Sequence, residues 1–192
     1  MIFRNHDIPT FRRVTCGSLL VLAGLLTGVA AGNDGISKEY QLKAAFLYNF
    51  SKFVEWPERA FSSPESPLII GVFRANPFGG ELEKAVGGRR IKGRAIVVTL
   101  VPTAAAARQT HLLFVGAGHD SRLAELKEAL RGSGVLTVGE TEAFASHGGM
   151  ITFKLQSDSL RFAINKGPAQ QAGLKISAQL QKLAAQPGGR HP

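Results

Sequence analysis

Two glycine-bearing stretches of the chain have the residue types to hold a phosphate. "VGAGHDSRL" (Val115–Leu123) places Gly116 and Gly118 between an apolar run and a helix-like one. That is the place for a turn whose backbone N–H groups face an anion. Ser121 stands where a dinucleotide fingerprint needs its third glycine, and the preceding run is the third strand of the pattern, not the first. An ordinary strand-to-helix turn is the better reading, with Asp120 or Ser121 capping the helix that follows. "GVFRANPFGGEL" (Gly71–Leu82) lacks the Lys-Ser/Thr ending of a P-loop. Here Arg74, with a helix N-terminus near Phe78, is the candidate anion contact.

Other chemistries find less support. His6, His111, His119, His147 and His191 share no metal-ligand spacing, and no HExxH or GxSxG is present. The acids are isolated, which disfavours a two-carboxylate hydrolase. "GGRRIKGR" (Gly87–Arg94) packs four cations into six positions. It either touches phosphates or an acidic protein, or is a solvated turn between a helix and a strand. "ASHGGMITF" (Ala145–Phe153) sets two glycines before a strand. They either admit a close neighbour or supply a positive φ, and the second is favoured. The sequence implies no cofactor and no metal.

The bulk numbers suit one domain. The chain has 192 residues, 44% hydrophobic and 19% charged, with net charge +9. The basic residues are spread along the chain, which speaks for solubility more than for nucleic acid. Arg4, Arg12 and Arg13 precede the uncharged run "SLLVLAGLLTGVA" (Ser18–Ala30), followed by small residues and then "GNDG". This order predicts a cleavable signal peptide over residues 1–31, cut after Ala31, and a periplasmic mature chain. The run falls short of the ~20 apolar residues a spanning helix needs. Cleavage takes the net charge to about +7 and removes Cys16, the single cysteine. The mature domain, 32–192 with its core near 38–185, then has no disulfide and depends on its apolar core.

The elements follow from periodicity. Leu42, Phe46, Phe50 and Phe53 recur at helical spacing, predicting a buried helix over 37–55, capped by Ser37 and stopped by Pro57. Within it "FLYNFSKFVEWP" (Phe46–Pro57) holds five aromatics in twelve residues. That density reads as a structural keystone, not a site. Strands are expected over Leu68–Phe73, Ala95–Val101, His111–Gly116 and Val135–Glu140. Short helices are expected over Pro77–Gly88, Asp120–Arg131 and Thr141–Ser146. "MITFKL" and "LRFAIN" predict a hairpin, Asn165–Pro168 a turn, and Ala169–Ala185 a last helix. The fold class is α/β: a single domain with a largely parallel sheet of five to six strands, helices packed on it, and a C-terminal β-hairpin plus helix.

Four segments in order carry a resemblance: "YQLKAAFLYNFSKFVEWP", "NPFGGELEKAVGGRRIKGRAIVV", "GVLTVGETEAFASHGGMITF" and "RFAINKGPAQQAGLKISAQLQKLA". Together, from about Tyr40 to Ala185, they resemble the YfiR family of periplasmic proteins, the YfiR/HmsC-like group. The resemblance implies a non-enzymatic regulator. Such a protein restrains an inner-membrane diguanylate cyclase by contacting its periplasmic region, lowering cyclic-di-GMP and biofilm formation. It also implies relief by an outer-membrane-associated lipoprotein, similar domains fused to sensor kinases, and a homodimer. No nucleic acid is implied. The family's best-known members can carry disulfide-forming cysteines, which a mature chain without cysteine cannot match. The alternative is a periplasmic small-molecule sensor that feeds a membrane signalling protein. For partner or ligand contact the residues singled out are Arg74, Arg161 and Lys166, cations near strand ends, where recognition loops usually lie.

Overall fold

The computed structural model describes residues 34–157 and 159–185. The expected export segment, Cys16 and the tail from Gln186 lie outside the described residues. All described residues belong to the unit Gly32–Pro192, the second of two units into which the chain divides.

The elements run α1 (Asp34–Phe53), β1 (Val54–Glu55), β2 (Leu68–Phe73), α2 (Glu81–Val86), β3 (Arg90–Ile91), β4 (Arg94–Val101), β5 (Leu112–Val115) and α3 (Leu123–Ala129). They continue β6 (Leu136–Gly139), α4 (Glu142–Ser146), β7 (Ile151–Gln156), β8 (Ser159–Ile164), α5 (Lys166–Gln171), β9 (Lys175–Ile176) and α6 (Ala178–Ala185). Among the described residues the main sheet has seven strands in the order β3-β4-β2-β5-β6-β7-β8. β4, β2, β5, β6 and β7 are parallel, while β3 and β8 join the two edges antiparallel. The fold class expected from the sequence holds, with the two-residue β3 as the strand of the main sheet that periodicity missed.

Burial explains the pattern. β5 is buried at all four positions, as befits a central parallel strand covered on both faces. Even-numbered side chains of β2, β5 and β6, such as Ile70, Phe114 and Val138, face a cluster with Leu47 and Phe50 of α1, Leu82 of α2 and Leu180 of α6. Odd-numbered Phe73, Leu113 and Val115 face a smaller cluster with Leu123 and Leu126 of α3 and Phe144 of α4. Phe50 is fully buried, its ring centroid 4.9 Å from Phe162 and 5.6 Å from Phe153, beside Phe46 at 5.8 Å.

Several expectations are corrected. α1 starts at Asp34, so Ser37 lies inside the helix and not at its cap. The buried face is rotated by about one residue: Leu42 is 51% exposed, while Lys43 and Leu47 are buried. Asn165–Pro168 is no open turn, because α5 begins at Lys166. The expected last helix is broken. Gly173 at φ +77 ends the α5 segment, and Lys175–Ile176 pair antiparallel with Glu55–Val54 before α6 begins. "RRIKGR" forms a two-residue hairpin between β3 and β4. Lys92 and Gly93 both have positive φ, the signature of a type I′ turn.

The glycine pair before β7 divides the two roles considered for it. Gly148 sits at φ +92, whereas a Cβ on Gly149 would lie 2.1 Å from the Phe144 ring. Gly149 therefore makes room for the aromatic that closes the second face.

Truncating Phe50→Ala should cost about 3–5 kcal/mol, the usual range for a buried phenylalanine. Urea denaturation of the purified domain checks this; a loss below about 1 kcal/mol would remove Phe50 from the keystone role.

Candidate functional site

In an open parallel sheet, ligands bind beyond the carboxyl ends of the strands where the winding reverses. Here the chain goes from β2 outward to β4 and returns to β5 on the other side of β2. The reversal therefore lies between the loops after Phe73 and after Val115.

That edge is occupied by the protein's own side chains. Glu140 leaves the end of β6, and its Oε1 accepts the Ala117 N–H at 2.6 Å and the Tyr40 hydroxyl at 3.3 Å. Its Oε2 pairs with the Lys43 ammonium, which also meets Glu39 one turn earlier in α1. Both partners are nearly out of solvent, with side-chain exposures of 5% for Lys43 and 8% for Glu140. Burial alone would depress the Lys43 pKa, but the hydrogen bonds to Glu140 and Glu39 outweigh it and raise it. Tyr40 is also raised, first by burial and then by the Glu140 charge. The backbone N–H that a phosphate turn would offer is thus taken by a carboxylate tied to α1. Sequence reading missed Lys43 and Glu140 because a lone lysine between Leu42 and Phe46 carries no signal of its burial and its partner ends a strand 97 residues later.

The residues singled out from sequence do not converge. Arg74 follows β2 at the carboxyl edge, exposed and at φ +60. Arg161 pairs with Lys154 across the β7–β8 hairpin, which continues past Thr152, the residue level with the end of β6. Lys166 opens α5 after Ile164, which pairs with Ile151 at the start of β7. It therefore lies toward the opposite edge. The anion contact expected near Phe78 is overturned. Asn76 Oδ1 accepts the Phe78 N–H at 2.9 Å, and α2 begins only at Glu81, with Glu81 and Glu83 in its first turn. Neither Asp120 nor Ser121 caps α3. Asp120 Oδ1 instead accepts the Thr141 hydroxyl at 2.8 Å, while Thr141 caps α4 through the Phe144 N–H.

The amino edge carries the aromatic keystone. Trp56 Nε1–H donates to the His111 carbonyl at 3.0 Å, and Phe61 stacks on the His111 ring at 4.3 Å. The Arg94 guanidinium lies 3.7 Å from the Phe61 centroid and donates to the Ser63 and Ser66 carbonyls. His111 Nδ1 accepts the Ile69 N–H, so Nε2 carries the proton and donates to the Ala60 carbonyl. One neutral imidazole thus fixes both β2 and the linker after α1. Burial lowers its pKa; the Ala60 bond opposes that, and the Arg94 charge adds to it.

The second face of the sheet holds a cleft of about 500 Å³ between α3 and the α4–α5 side. Leu113, Val115, Leu126, Phe144 and Met150 form its apolar floor and walls, and Lys127 stands among its polar residues. Among the described residues, no group of His, Cys, Asp and Glu could hold a metal ion.

Two outcomes follow. Glu140→Gln leaves the buried Lys43 ammonium with Glu39 alone as counter-ion and should cost about 1.5–3 kcal/mol, read by chemical denaturation; no measurable loss would dissolve the clamp. Burial holds the folded-state pKa of His111 below its ordinary value, so its contribution is full above about pH 6.5 and fades as pH falls below that. Wild-type stability should drop more between pH 7.5 and pH 5 than that of His111→Gln; parallel pH profiles would contradict this role.

The YfiR/HmsC-like family model matches residues 40–185. No curated protein matches the sequence. The match spans α1 through α6, taking in the Lys43–Glu140 clamp, the Trp56–His111 cluster and the β7–β8 hairpin, and by it the chain belongs to the YfiR/HmsC-like family.

Proposed function

We propose that this chain is a periplasmic, non-enzymatic regulator that binds the periplasmic part of an inner-membrane diguanylate cyclase and restrains it. Cyclic-di-GMP output and biofilm formation would fall as a consequence. The observation that carries the reading is the family match over residues 40–185. The family is regulatory, not catalytic, and a carboxyl edge closed by Glu140 and Lys43 accords with a scaffold. A sensor kinase's outer region is the second partner class, and an outer-membrane lipoprotein that sequesters the regulator would lift the restraint.

The mechanism is preferential binding to the inactive form of the partner. Turning a 99:1 ratio of active to inactive into its reverse takes about a 10⁴-fold preference, roughly 5.5 kcal/mol. Exposed ion pairs contribute about 0–1 kcal/mol each, so cations alone are too weak. An apolar contact must join them. The projecting hairpin offers one on the face opposite Arg161: Leu155, which pairs with Leu160, is 61% exposed. Arg74 supplies a second charge toward the same edge, and Lys166 marks a separate contact at the other.

A specific feature favours a second, compatible reading. The cleft beside α3 has the volume of a small-molecule site. A domain that senses a metabolite there would melt higher in its presence, whereas a pure protein binder would stay flat in a screen of amino acids, nucleotides and sugars.

Mature protein used as bait on detergent-solubilised inner membranes should capture a cyclase or kinase. Leu155→Asp with Arg161→Glu should weaken that capture by about tenfold or more. Failure to enrich any signalling protein would count against the proposal; undiminished capture by the double variant would move the surface elsewhere.

A further inference from the structure

The cleft on the second face is built as a slot for a hydrocarbon. Its floor is the odd-numbered side of β5, with Leu113 and Val115. Leu123, Leu126 and Lys127 of α3, with Leu130 just after it, recur at helical spacing, so one face of α3 forms a wall. Phe144 stands in the opposite wall, seated between two glycines. A Cβ on Gly139 would lie 2.4 Å from its ring, and one on Gly149 2.1 Å. The space of about 500 Å³ is therefore preformed, as ligand sites usually are.

The polar groups around it are largely spent within the protein. Thr137 Oγ1 accepts the Met150 N–H at 3.2 Å, the Ser133 hydroxyl donates to the Leu130 carbonyl at 2.7 Å, and His147 Nδ1–H donates to the Ala143 carbonyl at 2.8 Å. A sugar or a nucleotide would bury many polar atoms here with few to meet them, each at a cost. The charge is one-sided. Among the described residues no aspartate or glutamate lines the cleft, whereas Lys127 and Arg131 do. Arg131 is held by Glu128 at 2.6 Å, but Lys127 forms no ion pair among the described residues. The carbonyls at the end of α3 would repel an anion, yet they are covered. Arg108 donates to those of Ala129 and Arg131, at 2.6 and 3.4 Å, and Ser133 takes that of Leu130.

We infer that this cleft binds a single-chain monocarboxylate, with its hydrocarbon tail along Leu113, Leu126 and Met150 and its head at Lys127. The apolar lining selects the tail. One ammonium without a partner selects a head with a single negative charge. This ligand class rests on the small-molecule sensor reading and narrows it, setting aside amino acids, nucleotides and sugars. Each methylene buried tightens binding about fourfold, whereas an exposed ion pair adds about fivefold at most. Tail length therefore dominates the affinity, and the head sets the orientation.

The experiment uses residues 32–192, the compact unit that holds every described element. Backbone amides are followed by NMR during titration with sodium hexanoate, octanoate and decanoate below micelle formation, and with 1-octanol as the uncharged match of octanoate. Saturable shifts should centre on Leu126, Phe144 and Met150, with affinity rising about fourfold per methylene. Lys127→Met, at an exposed position, should weaken octanoate about threefold to fivefold and leave 1-octanol unchanged. No saturable binding by any of the three carboxylates overturns the proposal. So does a Lys127→Met variant that binds octanoate as well as wild type, or that loses octanoate and 1-octanol equally. If a sugar, nucleotide or amino acid raises the melting temperature while the carboxylates stay silent, the monocarboxylate falls and the sensor reading stands. If nothing binds, both fall.

Discussion

The seat of α1 on the sheet is the constraint from which the rest of the domain follows. With no cysteine after residue 16, α1 cannot be stapled by a disulfide and must be held by packing and by a few directed contacts. The packing is the interlock of Phe46 and Phe50 with Phe153 and Phe162. The directed contacts sit at the helix ends. Lys43 binds Glu140 at the carboxyl edge, and just past the last turn Trp56 binds the backbone of His111 at the amino edge. The rings supply most of the driving force, because burial scales with apolar area. The polar ends cost desolvation and set position instead. A helix held only by rings could slide by a turn; one pinned at both ends cannot.

This arrangement has a consequence for function. The crevice that α/β sheets use for phosphates is filled by Glu140, with Ala117 N–H and Tyr40 around it. An internal carboxylate there is a structural counter-ion, and the Ala117 N–H that a phosphate turn would offer binds Glu140 instead. What the fold leaves open lies elsewhere: the β7–β8 hairpin with Leu155 and the cleft beside α3. Both are surfaces for holding something, in keeping with a family of regulators.

Much of the fold was legible in the sequence because it rests on local patterns. Apolar runs such as Leu68–Phe73 and the alternation on either side of Gln156 announce strands directly. What escaped depends on distant partners. Nothing near Lys43 in the sequence signals its burial; Glu140, 97 residues on, does so only in the fold. Lys175–Ile176 look like part of a helix until Val54–Glu55 arrive to pair with them. The short β3 needs the positive φ of Lys92 and Gly93 to be seen as a hairpin. The proposed contact residues fared by the same logic. "Near a strand end" describes Arg74 and Lys166 equally well, but the two ends belong to opposite edges, and only the topology distinguishes them.

The central claim is that this domain lowers a cyclase's output by binding it, without chemistry of its own. Intracellular cyclic-di-GMP, compared between a strain lacking the chain and the same strain supplied with it, tests that most directly. The account predicts a higher level without the chain and a return to the original level when it is restored. A level that is unchanged, or lower, in its absence would contradict it.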